Sequence, residues 1–289
     1  MFFFIKIIIM VNSNSPNFQK GNLILIGGAE DKRRSKYILR NILEIYNVKN
    51  AILIPTASSY PSDVGRNYKY AFRSLGLKNL EIFDIRNKNE IDKPEHLKKL
   101  EEADLVFFSG GDQVKLVDVF DGSKILEVIK TKFKNKEINI AGTSAGASAS
   151  GEMMIYDGDY KGFEKDKIFF HKGFGFLKNI IIDTHFIERC RMPRLTQSLL
   201  KDNLKKGFGI SENTAIFISP DLKFQVLGCG TVTLIDSENA QKSNFKEIEM
   251  YEKFSVNNLK FAFLSDETTF DINKWEIIEN KKTIKKKIC

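Results

Sequence analysis

The sequence predicts an α/β fold in which a mostly parallel sheet carries helices on both faces and antiparallel strands are added toward the C-terminus. Three observations carry this expectation. Short apolar runs alternate with amphipathic stretches through the first half of the chain, the pattern of strand–helix–strand units. These runs stop at Gly, Pro or small polar residues, as buried strands do. Beyond Gly175 the apolar runs crowd together, so strand follows strand more closely there.

Leu23–Ile26 is the first strand, ending at Gly27-Gly28, and Lys36–Tyr46 is spaced as a helix. Ala51–Pro55 then reads as a strand, Gly65–Leu75 as a helix, Glu81–Ile85 as a strand and His96–Glu102 as a helix. Leu105–Ser109 is a strand ending at Gly110-Gly111, Ser123–Phe133 a helix, and Ile138–Gly142 a strand. Ile180–Thr184, Ala215–Ile218, Lys223–Leu227 and Thr231–Ile235 follow, and make the sheet a mixed one. No repeat and no Pro/Gly-rich linker divides the chain, so the expectation is an extension at 1–21 and one domain at 22–289.

Composition narrows the function classes. With 42% hydrophobic and 28% charged residues over 289 positions, the chain is neither a disordered tail, a collagen-like fibre nor a polytopic membrane protein. The net charge of +8 raises nucleic acid as a partner, but only nine of the 45 basic residues are Arg and the Lys are scattered. A lysine-rich solvated surface accounts for that, as it does for the tail Lys281–Lys287. Three of the Arg do cluster, at Arg189, Arg191 and Arg194. Met1–Met10, MFFFIKIIIM, is strongly apolar but far shorter than the roughly 20 residues of a membrane helix. It lacks a leading basic region and an obvious small-residue cleavage site, which argues against a secretory signal, and translation from Met1 or from Met10 both stay open. Three Cys and three His show no metal-ligand spacing, so no metal and no cofactor are expected. The expected location is the cytoplasm, with export by an atypical N-terminal signal left open.

Four segments carry chemistry. Ile138–Ser150, INIAGTSAGASAS, holds G-x-S-x-G at Gly142–Gly146 in a strand–turn–helix context that would raise the Ser144 hydroxyl above the sheet edge. Alone, the pentapeptide also fits a packing turn. Ser109–Gln113, SGGDQ, and Gly27–Lys32, GGAEDK, each follow a strand, and consecutive glycines let backbone N–H groups approach a ligand. Neither is a G-x-G-x-x-G, which argues against a dinucleotide fold. A serine hydroxyl needs a base, and of the three His only His185, in Asp183-Thr184-His185-Phe186, ends an apolar strand among polar groups.

Together with GISENTA at Gly209–Ala215, these motifs resemble the cyanophycinases, in the serine peptidase family that includes peptidase E, the aspartyl dipeptidase. The resemblance runs from about Leu23 to Ile235. It implies a flavodoxin-like sandwich related to class I glutamine amidotransferase domains, with Ser144 where those relatives have Cys. It further implies Ser144 as nucleophile, His185 as base, Gly111 and Ala145 as the oxyanion hole, and Gln113, Asp183, Arg189, Arg191 and Arg194 as the substrate pocket. Thr184 departs from the Gln usual in the family. The orienting acid is expected between the Ser helix and the His strand, where Glu164 and Asp159 both fit and Glu164 is the choice. The activity implied is that of a serine-type exopeptidase releasing β-Asp-Arg dipeptides from cyanophycin through an acyl-enzyme. The expected partners are the polymer or aspartyl peptides, with no nucleic acid and no membrane, and a second copy of the chain as candidate for a homodimer. The alternatives are a peptidase E-like dipeptidase and a non-catalytic amidotransferase-like binding module.

Overall fold

The computed structural model of the protein describes residues 20–158, 162–201 and 204–280; the expectations about Met1–Met10, Asp159 and Lys281–Lys287 lie outside them. The chain runs β1 (Leu23–Ile26), α1 (Tyr37–Ile45), β2 (Asn50–Ile54), α2 (Pro61–Ser74), β3 (Asn79–Ile82), α3 (Pro94–Glu101), β4 (Leu105–Phe108), α4 (Gln113–Phe120), α5 (Lys124–Lys134) and β5 (Asn139–Thr143). The four-residue α6 (Ala145–Ser148) and the hairpin β6 (Met153–Gly158) and β7 (Ile168–Lys172) follow. Then come β8 (Ile180–Thr184), α7 (Met192–Lys201), β9 (Lys206–Ile210), β10 (Thr214–Ile218), β11 (Lys223–Gly228), β12 (Val232–Asp236), β13 (Lys260–Leu264), β14 (Thr268–Asp271) and β15 (Glu276–Asn280).

The central sheet has nine strands in the order β15-β14-β11-β10-β1-β5-β4-β2-β3. The five from β1 to β3 are mutually parallel, and β10, β11, β14 and β15 add antiparallel on one side. Burial on both faces explains the continuous apolar runs, since alternate residues point to opposite sides. Ile24, Ile26, Leu53 and Phe107 pack beneath α1 and α2 with Leu39, Ile42 and Phe72. Leu25, Ile54, Val106 and Phe108 face the other way, against Leu116, Ile125 and Ile129 of α4 and α5. Local signals set the helix starts: Pro61 opens α2, Asp112 accepts from the Val114 and Lys115 N–H groups at α4, and the Ser123 hydroxyl accepts from Leu126 N–H at α5.

One feature departs from the single mixed sheet. Ile180–Thr184 and the run after Thr231 do not join the central sheet but form a second one, β13-β12-β9-β8. The reason is packing: Ile182, Phe208 and Leu234 share a core with Leu25, Val106 and Ile140. The second sheet therefore lies over a face of the first, taking the place of part of a helix layer. The strand expected at Glu81–Ile85 pairs earlier, over Asn79–Ile82, because its register follows Asn50–Leu53; Phe83 and Ile85 are buried beyond the strand end.

Candidate active site

Ser144 stands where β5 leaves the sheet, with φ 52° and ψ −112°. Non-glycine residues rarely take such a conformation, which costs about 1–3 kcal/mol and persists only where its surroundings enforce it. Ser144 N–H donates to Ile26 O at 3.0 Å, and Ser144 O accepts from Ser148 N–H at 2.9 Å, so both sides of the turn are tied. His185 follows β8 and also has positive φ, 48°. Its N–H donates to Gly27 O at 2.8 Å, tying the second sheet to the loop after β1. Gly28 has φ +100°, and a Cβ there would lie 2.4 Å from His185 Cε1, so a side chain would displace the imidazole.

Ser144 Oγ and His185 Nε2 are 2.8 Å apart. On the other side of the ring, His185 Nδ1 lies 2.6 Å from Glu212 Oε1. This corrects the expectation for the third member. Glu164 pairs its backbone with Lys253 in an isolated antiparallel bridge, whereas Glu212, in the turn between β9 and β10, holds the imidazole. The glutamate belongs to GISENTA, so the motif was visible; its approach to the His was not. With Nδ1–H directed at the carboxylate, Nε2 is free to accept the serine proton.

Gly111 has φ +143°, and a Cβ there would sit 2.1 Å from Ala57 O, so only glycine fits. A Cβ on the adjacent Gly110 would sit 3.1 Å from Ser144 Cβ, placing the glycine turn directly beside the serine. Ala145 N–H follows Ser144 at the start of α6. Gln113 Nε2 donates to Ile155 O at 3.2 Å and weakly to Tyr156 O at 3.4 Å, bracing α4 against β6.

The arginine cluster divides. Asp183, with 1% of its side chain exposed, accepts from Arg194 Nε at 3.0 Å and, through its other oxygen, from Arg194 Nη2. Arg191 Nη1 donates to Asp183 Oδ1 at 3.2 Å and to Thr184 O at 2.7 Å. Of the residues expected to meet the substrate, Asp183, Arg191 and Arg194 pair with one another, as a buried carboxylate of this kind demands, and so fix the His185 strand end. Arg189 alone of the three is exposed, its N–H bonded to His185 O at 3.0 Å.

Among the described residues, no group of three or more His, Cys, Asp or Glu is arranged to hold a metal ion. Among the same residues, no helix is long and apolar enough to cross a membrane.

Comparison with known proteins gives the family of the chain. The pattern of peptidase family S51 matches residues 23–226. A cyanophycinase of Synechococcus elongatus is 31% identical over 261 residues, which span 89% of this chain and 81% of that protein. A cyanophycinase of Trichormus variabilis is 32% identical over 254 residues, 87% of this chain and 85% of the relative. Among solved structures, a peptidase from an acI-B1 actinobacterium superposes with a TM-score of 0.65 at 21% identity, covering 88% of this chain and 98% of that one.

Proposed function

The chain belongs to peptidase family S51 and is a serine-type peptidase, and from that premise we propose that it hydrolyses cyanophycin to β-Asp-Arg dipeptides through an acyl-enzyme on Ser144. The observation that carries the mechanism is the continuous chain Ser144 Oγ–His185 Nε2 and His185 Nδ1–Glu212 Oε1. In this reading His185 removes the Ser144 proton as Oγ attacks the scissile carbonyl carbon. The N–H groups of Gly111 and Ala145 face the oxyanion, and Glu212 balances the imidazolium. The imidazolium then protonates the departing amine. Water, deprotonated by the same histidine, attacks the ester and frees Ser144.

The substrate reading is supported by curated relatives that carry the cyanophycinase name along most of their length. Cyanophycin exposes a free arginine carboxylate on every unit. Arg189, exposed one turn from the base, offers the planar donor fork that suits a carboxylate. Incubation with purified cyanophycin followed by mass analysis tests the proposal. Free β-Asp-Arg is the expected product; hydrolysis of short N-terminal aspartyl peptides with the polymer left intact would select the peptidase E-like reading instead. Absence of labelling at Ser144 by a fluorophosphonate would select a non-catalytic binding module.

A further inference from the structure

The loop after β1 contains a buried carboxylate that the reaction above does not use. Glu30 is 3% exposed. Its Oε2 accepts from Thr143 Oγ1 at 2.6 Å, and its Oε1 accepts from the Tyr68 hydroxyl and lies 3.1 Å from Lys32 Nζ. Lys32 Nζ also donates to Glu30 O at 3.0 Å and sits 5.0 Å from the centre of the Tyr68 ring. Burial, and the Glu30 carboxylate beside it, push the Tyr68 hydroxyl well above its ordinary range, which keeps it a donor.

A buried carboxylate, paired only with a partly exposed lysine, is a costly way to satisfy one threonine hydroxyl, and apolar packing often serves stability as well or better. Thr143 is not an arbitrary threonine, however. It precedes Ser144, whose backbone conformation survives only if its neighbours are held. The same loop reaches the other two members: Gly27 O accepts from His185 N–H at 2.8 Å, Gly28 O accepts from Asn213 N–H at 2.8 Å, and Asp31 N–H donates to Asn213 Oδ1 at 3.0 Å beside Glu212. We propose that Glu30 is a positioning residue for the nucleophile, locking the loop to the elbow through Thr143 so that Ser144, His185 and Glu212 share one frame.

This inference rests on Ser144 being the nucleophile, and its test separates the two claims. The full-length protein and its Glu30→Gln, Thr143→Val, Thr143→Ser and double Glu30→Gln/Thr143→Val variants are inactivated with a fluorophosphonate, and the maximal rate and half-saturating concentration are measured separately. Glu30→Gln and Thr143→Val are expected to lower the maximal rate roughly ten- to a hundredfold, the rate equivalent of one lost positioning contact, with half-saturation changed less than about threefold. Thr143→Ser, which keeps the hydroxyl, should stay within about threefold of the parent, and the double variant should match the worse single one. Should Glu30→Gln fail to fold, the contrast between Thr143→Val and Thr143→Ser decides. Parent-like labelling of Thr143→Val, or losses that multiply in the double variant, would overturn the role of Glu30 while leaving the nucleophile in place. If the parent is not labelled at Ser144, the nucleophile assignment falls, and the positioning role with it.

Discussion

Glu212 Oε1 lies 2.6 Å from Nδ1 of His185, although the two residues are 27 positions apart and leave different strands. A carboxylate so placed fixes both the tautomer and the orientation of the ring. Glu212→Gln should therefore lower turnover by about 10³–10⁴-fold, the scale of a histidine held in the wrong tautomer. Glu164→Gln should leave turnover within about twofold. Steady-state rates of the two variants, measured side by side, check this; the opposite ranking would return the acid to Glu164.

Ser144→Ala and His185→Ala should each fall to a common floor, at least about 10³-fold below the parent. Members of one proton-transfer unit are strongly non-additive, so the double variant should be no slower than either single one. Both changes leave the elbow backbone in place, and melting temperatures should move little. A double variant far below both singles would show that the residues act independently.

Arg194 and Arg189 should separate stability from substrate recognition. Arg194→Ala leaves the buried Asp183 carboxylate short of its fork and should destabilise the protein by about 3–5 kcal/mol in urea titrations. Arg189→Ala should leave stability unchanged, since the side chain is exposed. Its expected cost is in kcat/KM on cyanophycin, by roughly ten- to a hundredfold, with only partial rescue by Lys. Equal losses on the polymer and on a small aspartyl dipeptide would contradict a contact to the arginine carboxylate.

Asp31 supplies a pH dependence. Burial raises its carboxyl, but the N–H groups of Arg34, Lys36 and Arg33 and the Ser35 hydroxyl outweigh that and hold it well below the usual carboxylate range. In acid the unfolded chain therefore binds the proton more readily than the folded one. The stability Asp31 contributes is present above its unfolded value of about 4 and is lost as the pH falls from there toward the folded value. Asp31→Asn should lower the melting temperature at pH 6–7, and the gap to the parent should narrow below about pH 4. A gap that widens in acid would reverse the sign of the argument.

The fully buried strands were legible in the sequence because apolar residues cover both of their faces. Leu23–Ile26 and Ile180–Thr184 match the structure end to end, since continuous apolar runs between turn residues leave little freedom in placing them. β9 was not legible: Lys206–Ile210 reads KGFGI, and its two glycines interrupt the apolar pattern, yet each lies against a bulky side chain, Leu195 at Gly207 and Phe186 at Gly209. α7 was obscured for another reason. Arg194, a charged residue, lies on its buried face against Asp183, which breaks the amphipathic pattern a helix would show. Ser144 and His185 could be found from the strand ends that carry them. Glu212 could not, because the turn that brings it to His185 is where the chain crosses from one sheet to the other, and such a crossing leaves no periodic trace in sequence.

That crossing has a mechanical meaning. Ser144 is fixed to the central sheet, His185 to the end of the second sheet, and Glu212 to the bend that joins them. Each sheet could keep all of its own strand-to-strand hydrogen bonds while sliding an ångström over the other, and the hydrogen-bonded chain through the histidine would already be broken. Under the proposed mechanism, catalysis therefore depends on the alignment of the two layers. Mild heat or denaturant that loosens the contact between the layers, including the bond from His185 N–H to Gly27 O, would silence the enzyme before its strands come apart.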